Sequence, residues 1–230
     1  MNQLMLNSAT VGIVISVLAY EIGMAVKKKW KLAILNPLLI SIILVIGVLL
    51  LLDVDYESYN VSAKYLSYLL TPATVCLAIP LYQQLELLKK NAFAIFVGIL
   101  SGVLTSLVSI WAMAVLFQLT HEEYVTLLPK SITTAIGMGV SEELGGYAAI
   151  SAAVIIITGV LGNIIAETVC KIARIRHPIA RGLALGTSAH AIGTARAMEM
   201  GEVEGAMSSL AIVSAGLFTV IGASIFAGFY

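Results

Sequence analysis

Apolar residues in this chain arrive in long unbroken blocks, not in the alternating or helical-face patterns of a soluble domain. Leu32–Leu52, Tyr65–Leu85, Asn91–Thr120, Leu144–Ala166 and Gly205–Tyr230 contain no Asp, Glu, Lys or Arg. About 20 apolar residues carry a helix across the hydrocarbon core, so each block can span it. Leu6–Val26 is a further block with a single acid, Glu21, and Gly182–Ala197 is a more polar one. The pattern predicts an all-α polytopic membrane protein. It would have about seven transmembrane helices plus a re-entrant segment, in a single transmembrane domain over residues 1–230.

Composition agrees. Of 230 residues, 60% are hydrophobic and 11% charged, and the mean hydropathy is +1.00. So few charges cannot cover the surface of a soluble domain of this length. Net charge is zero, so nothing points to nucleic acid. No basic residue precedes the first apolar block, which argues against a cleaved signal. Cys76 and Cys170 stand far apart in apolar surroundings, so neither a disulfide nor a metal site is expected. HExxH and GxSxG are absent, and no acid pair lies inside an apolar block. An enzyme and a cofactor are therefore not expected.

The charges set an expected topology. Lys27, Lys28, Lys29 and Lys31 follow the first block, Lys89 and Lys90 the third, and Lys171, Arg174, Arg176 and Arg181 the block Leu144–Ala166. The positive-inside rule puts all three clusters in the cytoplasm of a plasma-membrane protein. The N-terminus is then outside and the C-terminus cytoplasmic. Between His121, outside, and Lys171, inside, the number of crossings must be odd. Leu144–Ala166 supplies one, so Leu128–Val140 must dip and return. Only eleven uncharged residues separate Lys130 from Glu142, too few to cross.

The apolar layout also repeats. The blocks over 31–120 match those over 144–230 at an offset of 116, which pairs Thr71 with Thr187 (187 − 71) and Asn91 with Met207 (207 − 91). Read with the charges, the two sets run in opposite directions. The middle element of each is interrupted: Pro72 and Pro80 in the first, Gly182, Gly186 and Gly193 in the second. Broken helices at matched places of inverted halves point to a binding site near the midplane, with half-helix N-termini suited to an anion. The expectation is that these two breaks cross one another there. Close packing of small residues is the competing explanation.

The candidate binding residues are Thr71 and Thr74 at the first break, Lys130, Ser131, Thr133 and Thr134 at the dip, and Ser188, Thr194 and Arg196 at the second break. Arg196 offers a planar fork for a carboxylate, or else snorkels to the interface. His190 lies between Arg181 and Arg196 among fourteen uncharged residues and is the candidate proton-coupling site. Asn36, before Pro37, reads as a helix cap. Glu21 and Glu167 read as interfacial. A pore would show a polar stripe along whole spanning helices, whereas here the polar residues gather at chain breaks.

NPLL (36–39), LTPATVCLAIPLY (70–82), LPKSITTAIGMGVSEELGG (128–146), IITGVLGNIIAE (156–167) and RGLALGTSAHAIGTARAMEMG (181–201) resemble the LrgB/CidB family of bacterial membrane proteins. The likeness covers nearly the whole chain. Similar sequence forms the C-terminal half of the plant plastidic glycolate/glycerate translocator. The resemblance implies a secondary transporter of small monocarboxylates (glycolate, glycerate, pyruvate or lactate). The alternative it implies is an antiholin-like regulator of murein hydrolase activity and cell lysis. It also implies a small holin-like membrane partner of the LrgA/CidA type, and leaves homo-oligomerisation open. The chain has Thr-Pro at 71–72 where Gly-Pro is usual, and Thr-Ala at 134–135 where Thr-Pro is usual. Both differences bear on substrate choice.

Overall fold

A computed structural model describes residues 8, 10–30 and 35–230, with the side chains of Leu70 and Thr74 outside that description. Among the described residues the protein is all-α, with no strand. It divides into two compact units, residues 1–76 and 77–230.

The first unit contains α1 (Val11–Trp30), α2 (Pro37–Leu51), α3 (Tyr56–Ala63), a 3-10 turn over Lys64–Leu69, and α4 (Leu70–Cys76). Asn36 caps α2: its Oδ1 accepts from the amides of Leu38 at 2.8 Å and Leu39 at 3.4 Å. Pro37 follows at the first helical position, where a missing N–H costs nothing. Asp55 caps α3 through the Ser58 amide, and the Ser58 hydroxyl and amide hold its carboxyl below the usual range. Gly12 lets α1 approach α3 closely enough for its amide to reach Ser62 Oγ at 2.8 Å. At 15 residues, α2 is shorter than the expected span Leu32–Leu52, whose first three residues lie outside the described part.

The second unit begins with two short helices, α5 (Ala78–Gln83) and α6 (Leu85–Lys90). Leu77 between α4 and α5 keeps helical backbone angles (φ −63°, ψ −19°), and a departure comes only at Gln84 (φ −104°, ψ 21°), beyond the two prolines. Three long apolar helices follow, each able to cross a bilayer: α7 (Ala92–Phe117), α10 (Ala148–Ile172) and α12 (Glu202–Phe226). Between them lie α8 (His121–Leu127) with α9 (Thr134–Glu143), and then α11 (Pro178–Met200).

One stripe of α7 (Ile95, Ile99, Val103, Leu107, Ile110 and Ala114) is buried at three- and four-residue spacing. It packs in one core with Ala206, Met207, Ala211, Ala215 and Ala223 of α12 and with Tyr124, Val125 and Leu128. Small residues on α12 allow the close approach that apolar helices in lipid need, since burial alone does not drive them together there. Phe93, Val97, Leu104, Val108 and Val115 point outward from α7, as a lipid-facing surface would.

The segments between the long helices double back. α8 and α9 form a hairpin that enters and leaves at one end of the unit. Thr120 starts it with a capping box to Glu123. At its tip, Ser131 Oγ lies 3.2 Å from Ser106 Oγ, halfway along α7. On return, the Tyr147 amide bonds Thr126 Oγ1 at 2.8 Å, beside the arm that went in.

α11 is the second hairpin. Its backbone leaves helical geometry at Ala189 (φ −132°) and His190 (φ 41°). Its arms then face each other: a methyl on Gly193 would sit 2.7 Å from Leu185 O, eight residues back. Arg181 in the first arm and Glu199 and Met200 at the end of the second line one small cavity. The whole element therefore starts and finishes at the same end, the one carrying Lys171 and Arg181.

This corrects the expected topology. Gly182–Ala197 does not run from one end of the unit to the other; it turns about halfway and returns. α12 then runs in the same direction as α7. At one end Leu210 and Ser214 stand beside Ala92 and Ile95. At the other, Tyr230 Oη donates to Ala114 O at 3.2 Å and to Leu119 O at 2.7 Å. Tyr230 O lies 3.2 Å from His121 Nδ1. The C-terminus thus shares a side with His121, where the charge pattern placed the two on opposite sides.

A shorter correspondence also runs through the chain. Ser101-Gly102-Val103-Leu104 in α7 matches Thr158-Gly159-Val160-Leu161 in α10 at an offset of 57 (159 − 102), and Ser131 matches Ser188 at the same offset (188 − 131). Ser151, Ile155 and Gly159 of α10 then match Ser208, Ile212 and Gly216 of α12 (208 − 151). Each repeat is one crossing helix plus one hairpin. Because a hairpin does not cross, successive repeats are inverted, as in many secondary transporters. The offset of 116 pairs α7 with α12, which run the same way and are therefore not inverted with respect to each other.

Candidate functional site: a groove between two hairpin tips

The two hairpins enter from opposite ends and bring their tips to one groove. It has a volume of about 820 Å³ and is lined by α7, the tip of the first hairpin and the first arm of the second. Asn91, just before α7, and Gly98, Ser101, Gly102, Thr105, Ser106 and Ser109 of α7 form one wall. Asn91 to Ser109 is 18 residues (109 − 91), about 27 Å at 1.5 Å per residue. Lys130 and Ser131 come from the first tip, His177 from just before α11, and Thr187 and Ser188 from its first arm. Gly102 makes room for Thr187: a methyl there would lie 3.0 Å from Thr187 Oγ1.

Hydroxyl protons along the groove are mostly spent on the helices themselves. Ser101, Thr105 and Ser109 donate to carbonyls three or four residues back, and so do Thr187 and Ser188. Such back-bonding lets a hydroxyl sit in an apolar helix without an unpaired donor. Lys130 Nζ donates to Ser131 Oγ at 2.9 Å and is half-buried. Among the residues lining the groove it is the one Lys or Arg, with His177 the other titratable side chain.

Of the residues singled out in the sequence, Lys130, Ser131 and Ser188 meet here. Thr133 and Thr134 begin α9 and do not line the groove; Thr133 makes no side-chain cap. Thr194 is buried against α12, its Oγ1 2.7 Å from Ser208 Oγ. Thr71 is exposed on α4 of the first unit, and the Thr74 side chain lies outside the described residues.

His190 is buried at the second tip, with Nε2 2.9 Å from Ile155 O. Its ring fills space left by Gly159, where a methyl would come within 2.7 Å of Cε1 and Nε2. Neighbouring Gly162 does the same for Ala189, whose Cβ would be 2.5 Å from an added methyl. A histidine at φ 41° is uncommon and strained, and here contacts from α10 on both sides hold it.

Arg196 lies at the basic end. It is ion-paired with Glu167 of α10 and Glu199. Glu167 also pairs with Lys171 at 3.6 Å, and Arg181 with Glu204 at 3.8 Å. These charges fasten the open end of the second hairpin to α10 and α12. Neither Arg196 nor His190 lines the groove.

The sequence reading missed Asn91, Ser101, Thr105, Ser106 and Ser109. Polar residues do not gather only at chain breaks: α7 carries small and hydroxyl residues at 98, 101, 102, 105, 106 and 109. Their three- and four-residue spacing was the available signal.

Fold and groove together define a polytopic all-α membrane protein with a hydroxyl-lined groove along one of its long apolar helices. The family model described as the LrgB-like family matches residues 16–229, and the chain belongs to that family. Relatives named "Antiholin-like protein LrgB" from Bacillus mycoides (strain KBAB4), Bacillus cereus (strain B4264) and Bacillus anthracis (strain CDC 684 / NRRL 3495) are each 39% identical over 211 residues. Those 211 residues are 91% of this chain and 92% of theirs. No solved structure matches.

Proposed function

We propose that this chain is antiholin-like, as its relatives are named, and that it acts in the plasma membrane to restrain murein hydrolase activity and lysis. The likeness over nine-tenths of both chains supports this reading. Its partner would be a small holin-like membrane protein of the LrgA/CidA type. By the positive-inside rule the basic end, with Lys89, Lys171 and Arg181, faces the cytoplasm, so that His121 and Tyr230 lie outside. The test is autolysis of a strain lacking the gene. Faster lysis that the wild-type gene reverses supports the role, and an unchanged rate in every lysis condition removes it.

A second and more specific reading is a secondary transporter of small monocarboxylates. One observation favours it: the long hydroxyl-lined groove ending at a lysine, framed by inverted repeats. The measurement is uptake of labelled lactate, pyruvate and glycolate by liposomes holding this protein alone. Uptake above protein-free liposomes supports transport. If none of the three enters, and lysis still depends on the gene, the chain acts without carrying these acids. Uptake driven by an imposed pH gradient is the readout for proton coupling.

A further inference from the structure

We infer that Lys130 selects the charge of the ligand: the groove takes a small monoanion through Lys130 Nζ, with Arg196 playing no part in binding. The inference rests on the transport reading of the groove.

Arg196 is the residue that sequence alone favours for a carboxylate, but its charge is already committed to Glu167 and Glu199. Lys130 differs in every respect. It stands at the hairpin tip where the first repeat reaches mid-depth, next to Ser131 and, through it, Ser106. Among the described residues no carboxylate lies within ion-pair distance of it, and no acid lines the groove. An ammonium has three donors. One goes to Ser131 Oγ, leaving others for a ligand.

A buried charge is costly until an opposite charge joins it. One lysine balances one negative charge. His177, the other titratable side chain lining the groove, lies eleven residues before Ser188 along the first arm of α11 (188 − 177), so a dicarboxylate would bring a second charge with no cation beside Lys130, and a neutral amide of the same shape would leave the lysine unbalanced. The site should therefore discriminate by charge before shape.

The test uses the purified full chain in liposomes and labelled lactate, with unlabelled propionate, malonate and lactamide as competitors. Propionate should compete, malonate far less at equal concentration, and lactamide not at all. Lys130→Gln should raise the half-saturating lactate concentration at least about tenfold, the scale of a lost charge-assisted hydrogen bond. Lys130→Arg should retain affinity within a few-fold. Arg196→Gln should leave half-saturation unchanged in protein that remains monodisperse. An unchanged half-saturation in Lys130→Gln, or malonate competing as well as propionate, overturns the inference. If the wild type takes up nothing, the transport reading fails by itself. Lys130 is then read by ligand-dependent thermal stabilisation: a lactate-induced rise in Tm lost in Lys130→Gln upholds the site, and no rise in the wild type overturns it.

Discussion

Gly159 is where the packing of the second hairpin can be tested most directly. A methyl at this position would meet His190 Cε1 and Nε2 at 2.7 Å and Ile192 Cδ1 at 2.9 Å. The imidazole has little room to yield, because Nε2 is held by Ile155 O and the backbone at His190 is already strained. Overpacking of this kind costs about 1–3 kcal/mol. Losing the His190 hydrogen bond adds about 0.5–1.5 kcal/mol. Gly159→Ala should therefore destabilise by about 2–4 kcal/mol. Gly139→Ala, with nothing within 4 Å, serves as the control and should change little. Unfolding in detergent, followed by denaturant titration, measures both. His190→Ala removes the ring, so Gly159→Ala in that background should cost much less, giving a coupling energy of about 1–3 kcal/mol in a double-mutant cycle. Equal costs of Gly159→Ala with and without the imidazole would refute the packing argument.

Other expectations follow from separate parts of the structure. Cysteines placed at Glu123 and Tyr230 should label from one side of the membrane and a cysteine at Arg176 from the other; opposite accessibility of the first two would disprove the second hairpin. Arg196→Gln leaves Glu167 and Glu199 without their shared cation and should cost about 1 kcal/mol, a modest figure because these groups are partly exposed; Glu167→Gln should cost a similar amount, both read by thermal unfolding. Tyr124→Phe removes the bond from its hydroxyl to Phe226 O at 2.9 Å and should cost about 1 kcal/mol in the same assay. Thr120→Ala breaks the capping box at the start of α8 and should cost about 0.5–2 kcal/mol.

The sequence by itself determined what the solvent dictates. Charge-free blocks mark α7, α10 and α12, because unpaired charge is excluded from hydrocarbon and a helix satisfies its own backbone. The short stretch between Lys130 and Glu142 marked a dip, because eleven residues cannot cross. Asn36 before Pro37 marked a cap, because that chemistry is local. What the sequence could not display was the turn at Ala189 and His190. It falls on neither glycine nearby, and its strain is held by contacts from α10, thirty residues away in the chain. Hydropathy reads such a hairpin and a crossing helix alike, so the charge pattern put Tyr230 at the opposite end from His121, whereas the two meet. The partners of Arg196 and of Lys130 were likewise decided by tertiary structure. Whether a cation is neutralised depends on which helices meet beside it. The fold gave Arg196 two carboxylates and left Lys130 in the groove among hydroxyls.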